Sequence, residues 1–596
     1  MKSGVLVYQW NGGWDGTSVV VEGGAIVANS TRAFSGGHST LTMTGGKMVL
    51  SSAYPVMFST ATIGGTELEP DSYTLAALRD VHGLGDYFEG DDDAVFSVLG
   101  ASGDWTGWPT TAGATAQVPQ DATVFITDDD VANVAGLGKI MLGAGSTVVC
   151  SNATQWLDVS AAVSGYGTFR IVDSAGVALL GDNSKLISPG RFDIANSYVA
   201  VSNRCGLGST KTAATSVSFS TINRPLVFGL ADGSALTNDV DIIVNQTTAN
   251  TTQIAFGTAS KDQWLVQNGD FTTSVNGNYQ NRIMVLGSVE FAKSFLAPNS
   301  LNQCFNGTSG GNIKFGRDAL ISGKNNSLAM VAYLPDRRDS SGQGTGRFVF
   351  ACTNQTGLAT VGINIADLVF ESDNVVGAPG ECVTILNYFN NAESAWFYMS
   401  VIDLNGHDQA FNKFSSQINR IANNPTDAGK CAVVTSAVPA TLTISSAEAL
   451  NRWEVLKFRG AAGFTYAGVG TNLFVDVASD TTGDFTVQSG VAGFDLGATW
   501  AGTNITVSGG TLYVGANSAA KGVFGTAPQV RERKTHLSVS SDASLYLEGG
   551  TTTVYTATMD GKTMRRGIYT NSQNWIDGGG VLHVLRDGTG LTIIFR

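Results

Sequence analysis

The chain has 596 residues, 43% of them hydrophobic and only 14% charged, with 73 glycines against 12 prolines and a net charge of −14. That length exceeds one ordinary compact core but suits a solenoid, which grows without limit in one direction, and the apolar fraction excludes a disordered chain. Nowhere do Lys and Arg cluster as phosphate neutralisation requires, so a nucleic-acid partner is excluded; an acidic surface is compatible with solubility outside cells and weak divalent-cation binding.

Ser, Thr, Asn, Gly and Val dominate, the make-up of many short strands with turns and not of helices. Met1-Lys2-Ser3-Gly4 is followed by an apolar run that ends at Gln9, shorter than the roughly 7–15-residue core of a secretory signal, and no later run approaches a membrane span. The chain is therefore expected to be cytoplasmic as made, or a trimmed form whose export signal is absent.

The first readable element is W-D-G-T-S-V-V-V-E-G-G-A-I-V, Trp14 to Val27: a strand, a Gly-Gly corner, a second strand. The corner has no tight-hairpin signal, so a bend that carries the chain onward is expected. Near the end Trp500 to Val514, W-A-G-T-N-I-T-V-S-G-G-T-L-Y-V, repeats it: Trp14, Gly16, Thr17, Val21, Gly23 and Gly24 match Trp500, Gly502, Thr503, Val507, Gly509 and Gly510 without a gap. Thr40–Leu50 then matches His536–Leu547, Ile63–Thr74 matches Met559–Thr570, and the alternation Val95 to Val98 matches Val581 to Val584. Between Tyr73 and Val98 the first copy carries an insertion whose L-A-A-L-R-D-V reads as a short helix. Matched segments in the same order mark an internal repeat. The expected organisation is a closing module at 1–100, a main parallel β-helix at 101–490 and a second closing module at 491–596.

D-W-T-G-W-P at Asp104 to Pro109 restarts the chain, and Val118–Ile126 gives the first new strand. Short alternating strands with Gly, Asn and Asp turns follow, among them Ile140–Cys150, Gly165–Val172, Arg191–Val201, Pro225–Leu230, Asp239–Val244, Arg282–Phe291, Gly346–Cys352 and Leu442–Ser445. Ser446–Leu456 has helical composition but equally fits a rung. Such spacing admits a sandwich, a barrel or a solenoid; an unbroken strand-turn grammar without linkers favours the parallel β-solenoid. With rungs of roughly 20–25 residues stacked about 4.8 Å apart, the main unit would be a rod on the order of 100 Å, whose open strand edges need capping or pairing.

Leu179 to Gly208, L-L-G-D-N-S-K-L-I-S-P-G-R-F-D-I-A-N-S-Y-V-A-V-S-N-R-C-G-L-G, resembles the autotransporter-associated β-strand repeat: a leading L-x-G-x-N, then Gly, a strand, a corner, a strand and a closing Leu-Gly. It departs from the pattern at Asn196-Ser197, where the family has Gly, and at Leu186, where it has an aromatic. Asp403–Gln409, the Tyr569–Val584 ending and the Trp105 … Pro119 … Asp121 restart are similar to segments of such passengers. The resemblance implies a right-handed parallel β-helix on an exported or surface protein.

Chemistry is sparse. Right-handed β-helices also carry lyase-like and glycosidase-like grooves lined by carboxylates, and the candidates are Asp91–Asp93, Asp128–Asp130 and Asp336-Arg337-Arg338-Asp339. The last is the most enzyme-like, because two arginines could meet a uronate, but all three are read foremost as solvated loops. His38, His82, His407, His536 and His583 are isolated, with no triad or metal spacing. Cys150, Cys205, Cys304, Cys352, Cys382 and Cys431 lack C-x-x-C spacing, so zinc is not expected and buried thiols are. No P-loop or calcium-binding nonapeptide repeat occurs. Trp10, Trp14, Trp105, Trp108 and Trp500 track the unit boundaries and are read as lids over an apolar solenoid end, in preference to sugar-stacking rings. The Asn pairs at 325–326, 390–391 and 423–424 are read as corners.

The sequence thus points to an all-β, non-catalytic, extracellular or cell-surface solenoid with a structural or adhesive role. No catalytic, metal or cofactor site is assigned. Expected partners are further copies of the chain, stacked head to tail into filaments through the solenoid ends, and a glycan or cell-surface ligand. The rivals are a polysaccharide lyase or glycoside hydrolase on a β-helix, and a viral fibre or tailspike located on the virion.

Overall fold

The structure is a computed structural model, described at residues 1–8, 16–28, 39–51, 56–92, 94–100, 105–219, 226–229, 236–246, 253–258, 263–275, 280–296, 301–306, 312–322, 327–332, 347–352, 360–364, 367–374, 384–387, 401–411, 413–415, 432–447, 449–453 and 456–587. It is about 52% strand and 6% helix, and its parallel stacked sheets form a β-solenoid of about 16 turns. The chain divides into two compact units, Met1–Tyr279 and Gln280–Arg596.

In the first unit the solenoid begins with Thr115–Val118, turns at Asp121, which takes a left-handed φ of 55°, and continues through Thr123–Ile126. One sheet runs Thr123–Ile126, Thr147–Cys150, Thr168–Val172, Arg191–Ala195, Thr215–Phe219, Ile242–Gln246, Asp270–Val275, all parallel. Because strand side chains alternate, register puts like beside like. Ile126, Cys150, Ile171, Ile194, Val217 and Val244 form one inward column, each at most 1% exposed. In the neighbouring column Phe169 and Phe192 meet at 5.6 Å.

The corners are stitched by buried amides. Asn183 accepts from the Val163 N–H (2.7 Å) and donates to the Gly206 carbonyl (2.7 Å), bridging turns; Asn152 donates to the Gly176 carbonyl at 3.1 Å. Each satisfies backbone groups that the bend takes out of the ladder. Asn196, standing where the repeat family has Gly, adopts φ 47°, a conformation Asn tolerates better than other side chains.

The second unit follows the same plan with larger inward rings. Phe291, Phe315, Phe350 and Phe370 lie in register on successive strands, with centroids 5.0–6.2 Å apart. Ser446–Leu456 is a rung: Asn451–Trp453 pairs with Thr471–Val475, and Trp453 is fully buried against Phe474. Trp500 is no lid, contrary to the sequence reading. It is 1% exposed, with Phe458 and Phe485 at 5.1 and 5.3 Å, and its Nε1 donates to the Gly483 carbonyl. Its ring is part of the core.

The two segments that match in sequence carry corresponding elements. Ser18–Val21 and Ala25–Ala28 correspond to Asn504–Val507 and Gly510–Val514, with Gly24 and Gly510 both left-handed (φ 80° and 70°) at the corner. Thr60–Ile63 and Thr556–Met559 each turn back into an antiparallel strand, Thr66–Glu67 and Lys562–Thr563. Val56–Phe58 and Thr551–Val554 pair in parallel with Val95–Val98 and Val581–Val584, whose other edges are covered by antiparallel Asp71–Thr74 and Gly567–Tyr569. Even the tyrosine anchor recurs: Tyr73 donates to the Glu69 carbonyl (2.5 Å), Tyr569 to that of Arg565 (2.7 Å). The first copy's insertion is the helix Leu75–Asp80, capped by Thr74; the second carries Ala516–Ala520 and Ala527–Arg533 elsewhere. In two of the three sheets of each copy the last parallel strands are thus closed by antiparallel ones, which blunts edges a solenoid would otherwise expose.

The first copy lies sheet-on-sheet against the opening turns of its own unit. Met57 and Val95 pack with Tyr166 and Ile187, Ser97 Oγ meets the Tyr166 hydroxyl at 3.1 Å, and Asp71 bridges Lys139 (2.8 Å) and Lys185 (3.3 Å). Burial by itself raises the Asp71 carboxyl, but the hydrogen bond from Lys139 and the Lys185 charge outweigh it and hold the group below its ordinary value.

Truncating one inward ring leaves a cavity that adjoining rungs can only partly fill. Phe192→Ala is expected to destabilise the protein by roughly 3–5 kcal/mol in chemical denaturation, whereas the exposed Phe125→Ala should change it by less than about 1 kcal/mol.

Candidate functional site

Of the carboxylates nominated by the sequence, Asp92, Asp128 and Asp130 are engaged by the scaffold. Asp128 Oδ1 accepts the N–H of Thr154 (3.1 Å) and of Gln155 (3.0 Å), and its Oδ2 accepts the Thr154 hydroxyl. These bonds from the next turn favour the charged form and hold Asp128 below its usual range. Asp130 accepts from both the N–H and the hydroxyl of Thr127, closing a capping box on a single turn of 3-10 helix. Asp92 pairs with Arg79, and Asp91 donates its N–H to the Leu50 carbonyl. Asp93 and the Asp336–Asp339 cluster lie outside the described residues.

The histidines do not converge. His82 sits edge-on to Tyr73 at 5.0 Å, and His407 Nδ1 lies 3.2 Å from Asp373 at a rung corner opened by Asn405, φ 50°. His536 lies 2.8 Å from the Thr556 hydroxyl and is held below its ordinary pKa by burial. His583 is half-buried on the last strand, and His38 lies outside the described residues. Cys150 and Cys352 are buried free thiols whose burial pushes each up to about 12; Cys205 is a half-buried free thiol. Cys304 lies on the strand Leu301–Asn306, while Cys382 and Cys431 lie outside the described residues, as do Trp10, Trp14 and the three Asn pairs. Among the described residues no cluster of His, Cys, Asp or Glu could hold a metal ion, and no helix is long and apolar enough to cross a membrane.

Two features escape the sequence pattern. On the outer face of the first unit Trp156 is 46% exposed and lies flat against Gly176, its register partner one turn on, where a Cβ would come within 2.2 Å of the indole. Tyr198 continues the column, 5.2 Å from the indole, and Asp158 accepts from Trp156 Nε1 at 2.8 Å. An aromatic laid over a strand glycine packs the sheet, and here it also presents a fixed ring to solvent beside a carboxylate. Its signal is an outward Trp followed about one rung later by Gly, and it needs the register to be read.

The second feature is an open groove of about 590 Å³ in the second unit, lined by Asp480, Thr482, Trp500, Lys521, Glu532 and Arg533. The helices peculiar to the second closing module form one wall. Arg533 is committed to the carbonyls of Ala501 (2.8 Å) and Phe524 (3.1 Å), and Lys521 to Asp476 (3.1 Å), while the Trp500 ring faces the core. Trp105 and Trp108 meet edge to face at 4.9 Å, and Trp108 donates to the Phe125 carbonyl, tying the restart to the first turn.

Comparison with protein-family models, with curated proteins and with solved structures finds no match to this chain.

Asp128 tests the scaffold reading of the acidic clusters. A carboxyl held low in the folded state stabilises above its ordinary pKa, near 3.9, and that contribution is lost as pH falls through the lower folded value. Asp128→Ala is expected to speed hydrogen exchange at the Thr154 and Gln155 amides at neutral pH, and the difference from the parent protein should vanish in strong acid.

Proposed function

We propose that this chain is a non-catalytic structural solenoid of the cell surface or extracellular space that holds a glycan against its outer face. Its working parts are a closing module at 1–100, a main solenoid at 101–490 and a second closing module at 491–596. The observation that carries the reading is the Trp156–Gly176–Tyr198 column. Its two rings stand two rungs apart with Gly176 between them and their centroids 5.2 Å apart, so C–H faces of a sugar can rest on them while Asp158 accepts its hydroxyls. Supporting it, Asp92 serves an ion pair, Asp128 a clamp on the next turn and Asp130 a cap. The autotransporter-like repeat at Leu179–Gly208 spans Tyr198 itself and motivates the surface location.

Trp156→Ala is expected to abolish retention of the protein on insoluble polysaccharide and on glycan arrays while leaving its thermal unfolding within a few degrees. Retention unchanged by that substitution would defeat the reading.

The groove gives the polysaccharide-enzyme reading one specific support, since Asp480 and Glu532 line it. Under that reading a panel of neutral and uronate glycans is turned over, and Asp480→Asn or Glu532→Gln reduces the rate at least a hundredfold. Under the adhesive reading no substrate of the panel is cleaved.

A further inference from the structure

The shelf at Trp156 has a rim as well as a face. The indole lies over Gly176, its register partner, and stays 46% exposed, while the Tyr198 ring flanks it at 5.2 Å, inclined by 58°. Asp158 stands two residues further along the strand, on the same side and exposed. Its Oδ1 receives the indole N–H at 2.8 Å, and its Oδ2 accepts from no described residue. A carboxylate is therefore pinned at the edge of a fixed ring, with one oxygen turned over to a ligand.

The surroundings carry one sign of charge. The strand and corner residues that hold the shelf, 151–160, 173–180 and 196–202, include Asp158 and Asp173 and neither Lys nor Arg. The corner before Trp156 is clamped by a third carboxylate, Asp128, on the amides of Thr154 and Gln155. Asp173, exposed in the corner before Gly176, accepts from Asn196 Nδ2 at 3.1 Å. None of the three forms an ion pair with a described residue, so the shelf is an aromatic face inside an uncompensated negative field.

We propose that this shelf takes a sugar bearing a free, protonated amine, with the pyranose on Trp156 and the ammonium on Asp158 Oδ2. The inference rests on the glycan reading of the same shelf and names the class of sugar it selects. Equatorial substituents of a pyranose lie near the plane of its ring. A sugar whose C–H face rests on the indole thus points them past the indole's rim, where Asp158 stands. An ammonium there gains a charge-assisted hydrogen bond, and the aromatic face adds its attraction for a cation. Acetylating the amine removes the charge and leaves a neutral hydrogen bond. A uronate in the same pose sets its carboxylate against Asp158, with Asp128 and Asp173 adding to the repulsion.

Calorimetric titration of the full chain tests this, at about pH 6 and low ionic strength, where carboxylates are ionised and amines protonated. The probes are three soluble oligosaccharides of equal length: β-linked glucosamine, its fully N-acetylated counterpart and galacturonate. The glucosamine oligomer is expected to bind roughly fivefold more tightly than the N-acetylated one, galacturonate not at all, and about 1 M salt should erase most of the difference. Asp158→Asn keeps an acceptor for the indole N–H and should bring the two affinities to within about twofold of each other. An N-acetylated oligomer bound as tightly as the amine, or a preference that Asp158→Asn leaves intact, overturns the inference while the glycan reading stands. Failure of all three oligosaccharides to bind overturns both. Capture of an oligolysine peptide without the glucosamine oligomer also overturns the inference, because the charge is then read without the sugar.

Discussion

The strands described in this protein find their backbone hydrogen-bond partners on the turns above and below, and that single constraint organises the chain. A strand of four residues is far too short to persist alone; stacked in parallel register, each N–H and C=O is paired above and below, and each inward side chain meets one from the next turn. The columns through Ile126–Cys150–Ile171–Ile194 and through Phe291–Phe315–Phe350–Phe370 are the consequence. Corners interrupt the ladder, which is why buried side chains such as Asn152 and Asn183, and exposed ones such as Asp128, appear there as substitutes for strand partners. Chemistry that looks like an acidic site in one dimension becomes, in three, the repair of a ladder.

The same constraint explains the closing modules. A stack must end somewhere, and its last parallel strand exposes a row of unpaired groups. Both copies use one answer: the chain doubles back, Thr66–Glu67 on Thr60–Ile63 and Lys562–Thr563 on Thr556–Met559, so the parallel ladder stops at an antiparallel hairpin. In the first copy the flat side of the other sheet is itself in use, where Met57 and Val95 rest on Tyr166 and Ile187.

Much of this is legible in the residues. Strand-turn spacing points to the solenoid, the Gly23–Gly24 and Gly509–Gly510 corners to the repeat, and L-A-A-L-R-D to the helix Leu75–Asp80. What the pattern misses has one cause. Trp500 looks like a lid because it opens a module, yet register sets it among Phe458, Phe474, Phe485 and Phe494 inside the stack. Trp156 draws no notice in the sequence, because only register reveals that it lies on Gly176. A one-dimensional pattern says which residues face inward along a strand; it does not say which turn lies above, and core rings, surface shelves and corner clamps are distinguished only at that level.

Register is therefore the claim to measure. Phe125, Val149, Arg170, Asp193, Ser216, Ile243 and Thr272 form one outward column through seven successive strands. Electron–electron resonance between a spin label at Phe125 and a second at Asp193, Ser216 or Thr272 should give backbone separations of about 14, 19 and 29 Å, rising by about 4.8 Å per turn. Separations that fail to grow steadily along that series, as in a sandwich or a slipped stack, would contradict the account.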